Sequence, residues 1–307
     1  VQKYLPHRGD ADRINGYMFS ATFPSHVMRV AKEFLYQPGF LSLSRDQVHV
    51  TDTEHVYYTV PRMDKDRSLV RIIEIENPAS ALIFCNTKSR VHYVATVLRR
   101  FGYDADELSS DLSQKAREKI MTRTRQGSLR FLVATDVAAR GIDLPDLSHV
   151  IIYEPPEDLE VYIHRAGRTG RAGASGVAIS LVDVLELMQL ERIAKRYGIE
   201  LQEWPLPTGE DVTTIVSQRV TALLEARLRD RDRLQTERMQ RFLPLVDSLS
   251  GSDEGLALLT MLLDDYYQLT LHGPLLQPPT REASGQGQRS SGKKSGSRQR
   301  RGRRRRR

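Results

Sequence analysis

Apolar residues in this chain gather in short unbroken runs. Ala81–Cys85, Phe131–Thr135, Val150–Tyr153 and Val177–Val182 each have the length and composition of a buried β-strand. Helical patterns alternate with some of them, at Val91–Phe101 and Lys115–Thr124. Strands and helices in this order predict an α/β fold, a doubly wound parallel sheet flanked by helices. Pro205, Pro207 and Gly209 punctuate the end of that pattern. Beyond them Val212, Val216, Val220, Leu223, Leu224 and Leu228 recur at helical spacing, with Arg219, Glu225, Arg227 and Arg229 on the opposite face. A second helix is expected from Ser252, an N-cap followed by Asp253 and Glu254, through Leu256, Leu259, Leu262, Leu263, Tyr266 and Tyr267. One hairpin cannot hide that much apolar surface. Two readings stay open: the arm packs back on the sheet domain, or it forms a homodimer through residues 212–271.

Charge changes the picture at one end only. The chain of 307 residues carries a net charge of +7. Residues 281–307 hold twelve Lys/Arg against one Glu, a net of +11, so the remainder is 7 − 11 = −4. The body is slightly acidic and the tail strongly basic. With no apolar residue beyond Ala283, the tail is expected to be disordered and to bind nucleic-acid phosphates with little sequence preference. The single cysteine, Cys85, excludes an internal disulfide and a cysteine-based zinc site. No apolar run has the length of a membrane span and no signal peptide is visible, which makes the cytoplasm the expected compartment.

The chemistry concentrates in His164-Arg165-Ala166-Gly167-Arg168-Thr169-Gly170-Arg171. The glycines end a helix begun at Val161–Ile163, so Arg168 and Arg171 can project from a bend toward one target. Planar guanidiniums suit phosphate oxygens; the plainer reading is a solvated basic helix end. The strand Phe131–Thr135 runs into Asp136 and then Arg140-Gly141-Ile142-Asp143, placing polar groups beyond its carboxyl end. Ala81–Cys85 likewise runs into Asn86-Thr87-Lys88. In open parallel sheets that edge is where ligands sit.

On these residues the chain resembles the C-terminal part of DEAD-box ATP-dependent RNA helicases. Ser20-Ala21-Thr22 matches the Ser-Ala-Thr motif that closes the family's first lobe. Ile83–Lys88 matches motif IV, and Gln114-Lys115-Ala116-Arg117 fits the Gln-x-x-Arg segment after it. Ala134-Thr135-Asp136 through Asp143 fits motif V, and His164–Arg171 fits motif VI. The order and spacing match over roughly residues 14 to 208. The resemblance implies a RecA-like second lobe at 43–208, after a remnant of the first lobe and linker at 1–42. A helical extension at 209–275 and an Arg-rich tail at 276–307 follow. The arm is similar in pattern to the dimerisation segment of cold-shock and thermophile members.

The same resemblance implies roles. Arg168 and Arg171 would be catalytic arginine fingers on the γ-phosphate of ATP; either could instead form a salt bridge within the lobe. Asp143 would accept from the ATP ribose, or cap a turn. Thr135 would donate to the RNA backbone, or be an ordinary strand threonine. Thr87 and Arg117 are weaker RNA-backbone candidates, and Arg117 could pair with a carboxylate on its own helix. Arg140 and His164 would link motifs across a closed cleft, with Ser20 and Thr22 coupling the lobes. ATP with Mg²⁺ and RNA are the implied ligands, and no metal ligands are expected on this lobe. The P-loop and the Asp-Glu-Ala-Asp box have no counterpart here. Gly287–Lys294 comes nearest to a P-loop but ends in Lys294 where Ser or Thr should bind Mg²⁺. The expectation is a chain that opens inside the first lobe and is inactive as an ATPase alone. The competing reading is an RNA-binding module made of a lone RecA-like lobe.

Overall fold

The structure, a computed structural model, describes residues 16–19, 25–35, 37, 39–41, 53–139, 147–170 and 176–272. Helix α1 (Ser25–Phe34) precedes seven strands: β1 (Thr53–Thr59), β2 (Ala81–Phe84), β3 (Ala105–Leu108), β4 (Phe131–Ala134), β5 (His149–Ile152), β6 (Gly176–Val182) and β7 (Leu201–Glu203). Between them run α2 (Lys65–Glu76), α3 (Lys88–Arg100), α4 (Gln114–Arg125), α5 (Asp136–Ala139), α6 (Leu159–Ala166) and α7 (Val184–Tyr197). The strands form one parallel sheet in the order β3-β4-β2-β5-β6-β1-β7. The four expected strands are all present. β1, β3 and β7 are additional: β3 reads Ala-Asp-Glu-Leu and β7 has three residues at the far edge, both too short and polar to announce themselves.

Helices cover both faces, as a parallel sheet requires. Leu69, Ile73, Val91, Val94 and Leu98, from α2 and α3, pack on one face over Val56, Ile83, Val133, Ile151 and Ile179. Ile120, Met121, Ala138, Tyr162, Leu190 and Ile193, from α4–α7, pack on the other over Leu82, Phe84, Leu132, Val150 and Ile152. Side chains punctuate the helices. Thr87 caps α3, Ser113 caps α4 and Asp158 caps α6, while Asp183 and Glu186 close a reciprocal capping box on α7.

One consequence of the strand order positions the site. β2 and β4 are neighbours with Phe84 opposite Ala134. The chain leaves β2 into α3 on one face, and leaves β4 into α5 on the other. Two adjacent strands whose connections part in this way open a crevice at their carboxyl ends.

Past β7, the expected two-helix arm proves to have four helices: α8 (Gly209–Arg229), α9 (Arg233–Gln240), α10 (Leu243–Ser250) and α11 (Asp253–Tyr267), ending in a π-helical turn at Gln268–His272. Asp232 with Gln235, and Pro244 near the start of α10, set breaks that the apolar spacing alone did not show. The arm's two ends return to the sheet domain. α8 lies against α2, and Arg219 donates to the carbonyls of Glu74 and Ile75 at the last turn of α2, the second at 3.0 Å. Tyr267 Oη donates to Glu74 Oε2 at 2.6 Å. The middle of the arm does not return: Leu243, Leu245, Leu256, Leu258, Met261, Leu262 and Leu263 are exposed.

Candidate functional site

The crevice between β2 and β4 collects the loops singled out by sequence. Cys85 N donates to Ala134 O at 3.0 Å and Tyr153 N donates to Phe84 O at 3.0 Å, so β4, β2 and β5 end level with one another. Asn86 and Thr87 follow β2, and Thr135 and Asp136 follow β4. Tyr153 and Glu154 follow β5.

Arg165 joins all three. It is 1% exposed, the largest fully buried side chain among the described residues. Its Nε and Nη2 grip Asp136 Oδ1 and Oδ2 at 2.8 and 2.7 Å. Nη1 donates to Glu154 O at 2.6 Å, and Nη2 also donates to Asn86 Oδ1 at 2.7 Å. The guanidinium lies 5.3 Å from the centre of the Phe84 ring. A buried guanidinium is tolerable only when its fork is matched this fully. Thus Arg165, in the His-Arg-Ala-Gly-Arg-Thr-Gly-Arg segment, turns inward and anchors the end of the helix that leads to Arg168.

The bend beyond it is also fixed. α6 ends at Ala166, and Gly167 N donates to Ile163 O at 2.9 Å. Thr169 is buried; its hydroxyl donates to Leu147 O at 2.5 Å, with Ser148 O 3.2 Å away. Gly170 has φ +68°, a conformation that strains any L side chain. Opposite it, a Cβ on Gly176 would collide with Thr169 Oγ1 and Gly170 N, so the bend lies directly against the start of β6. Arg168 and His164 are half-buried beside this bend. Arg171, Arg140 and Asp143, and Ser20 and Thr22, lie outside the described residues.

The three RNA candidates take defined places. Thr87 Oγ1 accepts from Arg90 N at 3.2 Å and so caps α3 at the rim of the crevice. Thr135 is buried, and its hydroxyl oxygen lies 3.4 Å from Ala138 N at the start of α5, so it starts a helix rather than simply ending a strand. Arg117 donates to Ala138 O at 2.7 Å. This differs from the alternative expected for Arg117: its partner is the backbone of α5, not a carboxylate on its own helix. Thr135 and Arg117 therefore converge on α5 from its two ends.

Asn86, Asp136 and Arg165 stand inside motifs visible in the sequence but had no role assigned there, and Glu154 was missed altogether; the structure makes Asn86, Asp136 and Glu154 acceptors with Arg165 as their common donor. A faint signal existed, because each acceptor immediately follows an apolar run, two residues past the strand end. Nearby, Lys65 is 5% exposed and donates to Tyr153 O and Leu181 O, both at 3.0 Å, and to Glu186 Oε2 at 2.6 Å. It staples the carboxyl ends of β5 and β6 to α7. Burial pushes the Cys85 thiol well above its ordinary pKa, so the one cysteine, beneath this crevice, is a packing group and not a nucleophile. Among the described residues no group of three or more His, Cys, Asp or Glu is placed to hold a metal ion. No helix of the described residues is long and apolar enough to cross a membrane.

A parallel sheet with an arginine-bearing bend at its carboxyl edge is the architecture of a RecA-like helicase lobe. The family described as helicase conserved C-terminal domain matches residues 64–173. The chain belongs to the DEAD-box RNA helicase family and carries its C-terminal lobe. RNA helicase CrhR of Synechocystis is 36% identical over 250 residues, covering 81% of this chain and 50% of CrhR. DEAD-box ATP-dependent RNA helicase CshA of Bacillus subtilis is 36% identical over 152 residues, covering 50% of this chain and 31% of CshA. The chain therefore spans half or less of the length of these curated relatives. Among solved structures, Dbp5 of S. cerevisiae bound to RNA and ADP BeF3 is 32% identical, covering 65% of this chain and 54% of that one, with a TM-score of 0.56. The C-terminal domain of Dbp5 alone is 33% identical and is covered over 99% of its length, against 55% of this chain, with a TM-score of 0.50.

Proposed function

We propose that this chain is the C-terminal half of an ATP-dependent RNA helicase, which melts short RNA duplexes as ATP binding and hydrolysis close and reopen two lobes. The observation that carries this reading is the Arg165 fork. It ties the loops after β2, β4 and β5 to the bend that presents Arg168. RNA-facing and ATP-facing groups are thereby built on one rigid edge.

In this mechanism Arg168 and Arg171 neutralise charge on the γ-phosphate as it transfers, and Asp143 accepts from the ribose. The loops at Thr87 and Thr135 and the α4 residue Arg117 face the sugar–phosphate backbone, which gives low sequence preference. Arg140 and His164 relay closure, with Ser20 and Thr22 on the first-lobe side. Mg²⁺ and the β- and γ-phosphates are held by a P-loop lobe, which these residues do not supply. The protein works in the cytoplasm on this reading. The basic tail tethers RNA, and the exposed apolar residues of α10 and α11 form a homodimer seam. A monomeric mass in solution at high micromolar concentration ends the dimer part alone.

The test is Arg168→Ala in the two-lobe protein. The expected result is a fall in kcat of at least about 10²-fold, because a finger acts in the transition state, with nucleotide-free RNA binding little changed. Normal kcat in that variant refutes the finger assignment. The runner-up is an RNA-binding module without ATPase. It prevails if the full-length protein binds RNA but shows no RNA-stimulated hydrolysis.

A further inference from the structure

Four consecutive carbonyls after β5 each receive a side-chain donor, and each donor comes from a different part of the fold. Lys65, at the start of α2, donates to Tyr153 O (3.0 Å). Arg165 on α6 donates to Glu154 O (2.6 Å), Asn86 after β2 to Pro155 O (2.9 Å), and Gln189 on α7 to Pro156 O (2.5 Å). Pro155 and Pro156 have no N–H to satisfy and a restricted φ. This short segment is therefore a rigid beam lying across the carboxyl edge of the sheet.

Only one side chain of the beam reaches out and carries charge. Glu154 Oε2 accepts from the backbone N–H of Asn86 at 3.0 Å, and Oε1 accepts from Arg90 Nε at 3.1 Å. Asn86 precedes Thr87, whose hydroxyl caps α3, and Arg90 stands in the first turn of α3. The carboxylate thus holds the entry of α3 from two sides. The same residue's carbonyl holds Arg165, and Arg165 holds Asp136 at the start of α5. A single residue spans the crevice, from the Thr87 rim to the helix that carries the arginine bend.

We propose that Glu154 is a positioning residue: its carboxylate sets the Asn86–Thr87 rim that meets the RNA backbone, and its backbone keeps that rim in register with the arginine bend. This rests on the helicase reading. Both oxygens of the Glu154 carboxylate are taken up by Asn86 N and Arg90 Nε, so its effect should fall on how tightly RNA is gripped when ATP is bound. The chemical step should be spared once RNA is saturating. Hydrogen bonds to a charged acceptor are the stronger kind, so removing the charge while keeping the shape isolates the function.

The experiment is RNA-stimulated ATP hydrolysis by the full-length, two-lobe protein, comparing wild type with Glu154→Gln, Glu154→Asp and Arg90→Gln. Glu154→Gln is expected to raise the KM for RNA by about 10-fold, equivalent to the loss of one charge-assisted hydrogen bond, and to leave kcat within about 2-fold. Glu154→Asp keeps the charge and should recover most of the affinity. Arg90→Gln should mimic Glu154→Gln, and the double variant should be no worse than either single one. An unchanged KM for RNA in a folded Glu154→Gln protein overturns the proposal. So does a fall in kcat and melting temperature with no change in KM, which would make Glu154 a purely structural group. If wild type itself shows no RNA stimulation, it is the helicase reading that falls. Amide exchange over residues 84–92 then decides the positioning role: faster exchange in Glu154→Gln supports it, and identical exchange overturns it.

Discussion

The two edges of the sheet use the same chemistry to opposite ends. At the carboxyl edge, Arg165 is buried but its acceptors stand at loop ends, and Asp136 keeps 26% of its side chain in solvent. At the amino edge, Glu74 is 8% exposed and enclosed on every side. It accepts from the phenols of Tyr103 and Tyr267, lies 4.0 Å from Arg219 and faces His272 Nε2 at 3.5 Å. Arg130 closes the group, donating to Pro78 O, Leu271 O, Asn77 Oδ1 and His272 Nδ1. Donors come from both the sheet domain and the arm. The first cluster organises loops at an open edge; the second encloses a carboxylate, two phenols and His272 and ties the arm to the sheet domain. Arginine–carboxylate clusters mark a site where the edge stays open, and a joint where another element covers it. Residue type alone does not distinguish the two.

The largest expected effect comes from breaking the open-edge cluster. Arg165→Met removes the fork that Asp136, Asn86 and Glu154 share. Disrupting a buried pair costs about 3–5 kcal/mol, and the lower end applies because Asp136 remains partly solvated. At about 2–4 °C per kcal/mol for a domain of this size, the melting midpoint should drop by roughly 6–12 °C. A drop under about 2 °C would show that the fork is dispensable for folding, and the contrast between the edges would collapse.

At the covered edge, Glu74→Ala strands two buried phenols, while Arg219 keeps its bonds to the Glu74 and Ile75 carbonyls. The expected cost is about 2 kcal/mol, and it should fall on the arm. Amide protection should be lost in α8 and α11 while β2, β4 and β5 keep theirs, since those strands are held by the two apolar cores. Uniform loss across all elements would mean that the arm and the sheet unfold as one unit.

The smallest effect sharpens the comparison through pH. Burial lowers the pKa of His272 from 6.5 to about 4, and that of His55, under α6 and hydrogen-bonded to Tyr162 at 3.0 Å, also to about 4. Both stay neutral in the folded chain. Between pH 4 and 6.5 the unfolded chain binds more protons than the folded one, so stability rises with pH through that window. It is fully present above 6.5 and lost toward 4. His272→Gln should reduce the acid-induced loss of arm protection, and His55→Gln the acid-induced fall in the melting midpoint of the sheet domain. Melting and exchange at pH 7 and pH 5 report both; acid losses identical to wild type in each variant would rule out the histidines as the cause.

Much of the fold was legible in local pattern. The runs at Ala81–Cys85, Phe131–Thr135, Val150–Tyr153 and Val177–Val182 became central strands because an unbroken apolar run suits a strand buried on both faces. The helix stop at Gly167 and the cap at Ser252 are equally local: each is satisfied within a few residues along the chain. β3 and β7 were illegible because an edge strand needs little hydrophobicity once its neighbour supplies the ladder.

What only the tertiary structure decided is the partner of each charge. Of the three arginines in His164–Arg171, sequence could not say which turns inward. The choice depends on Asn86, 79 residues away, and Asp136, 29 residues away, being brought level by the order β4-β2-β5. Likewise Arg117 meets Ala138 O, and Tyr267 meets Glu74 across 193 residues. Periodicity and capping are encoded within a turn or two of chain, so a sequence carries them openly. A buried ion pair is set by which crossovers place which strand ends side by side, and that information exists only once the sheet has assembled.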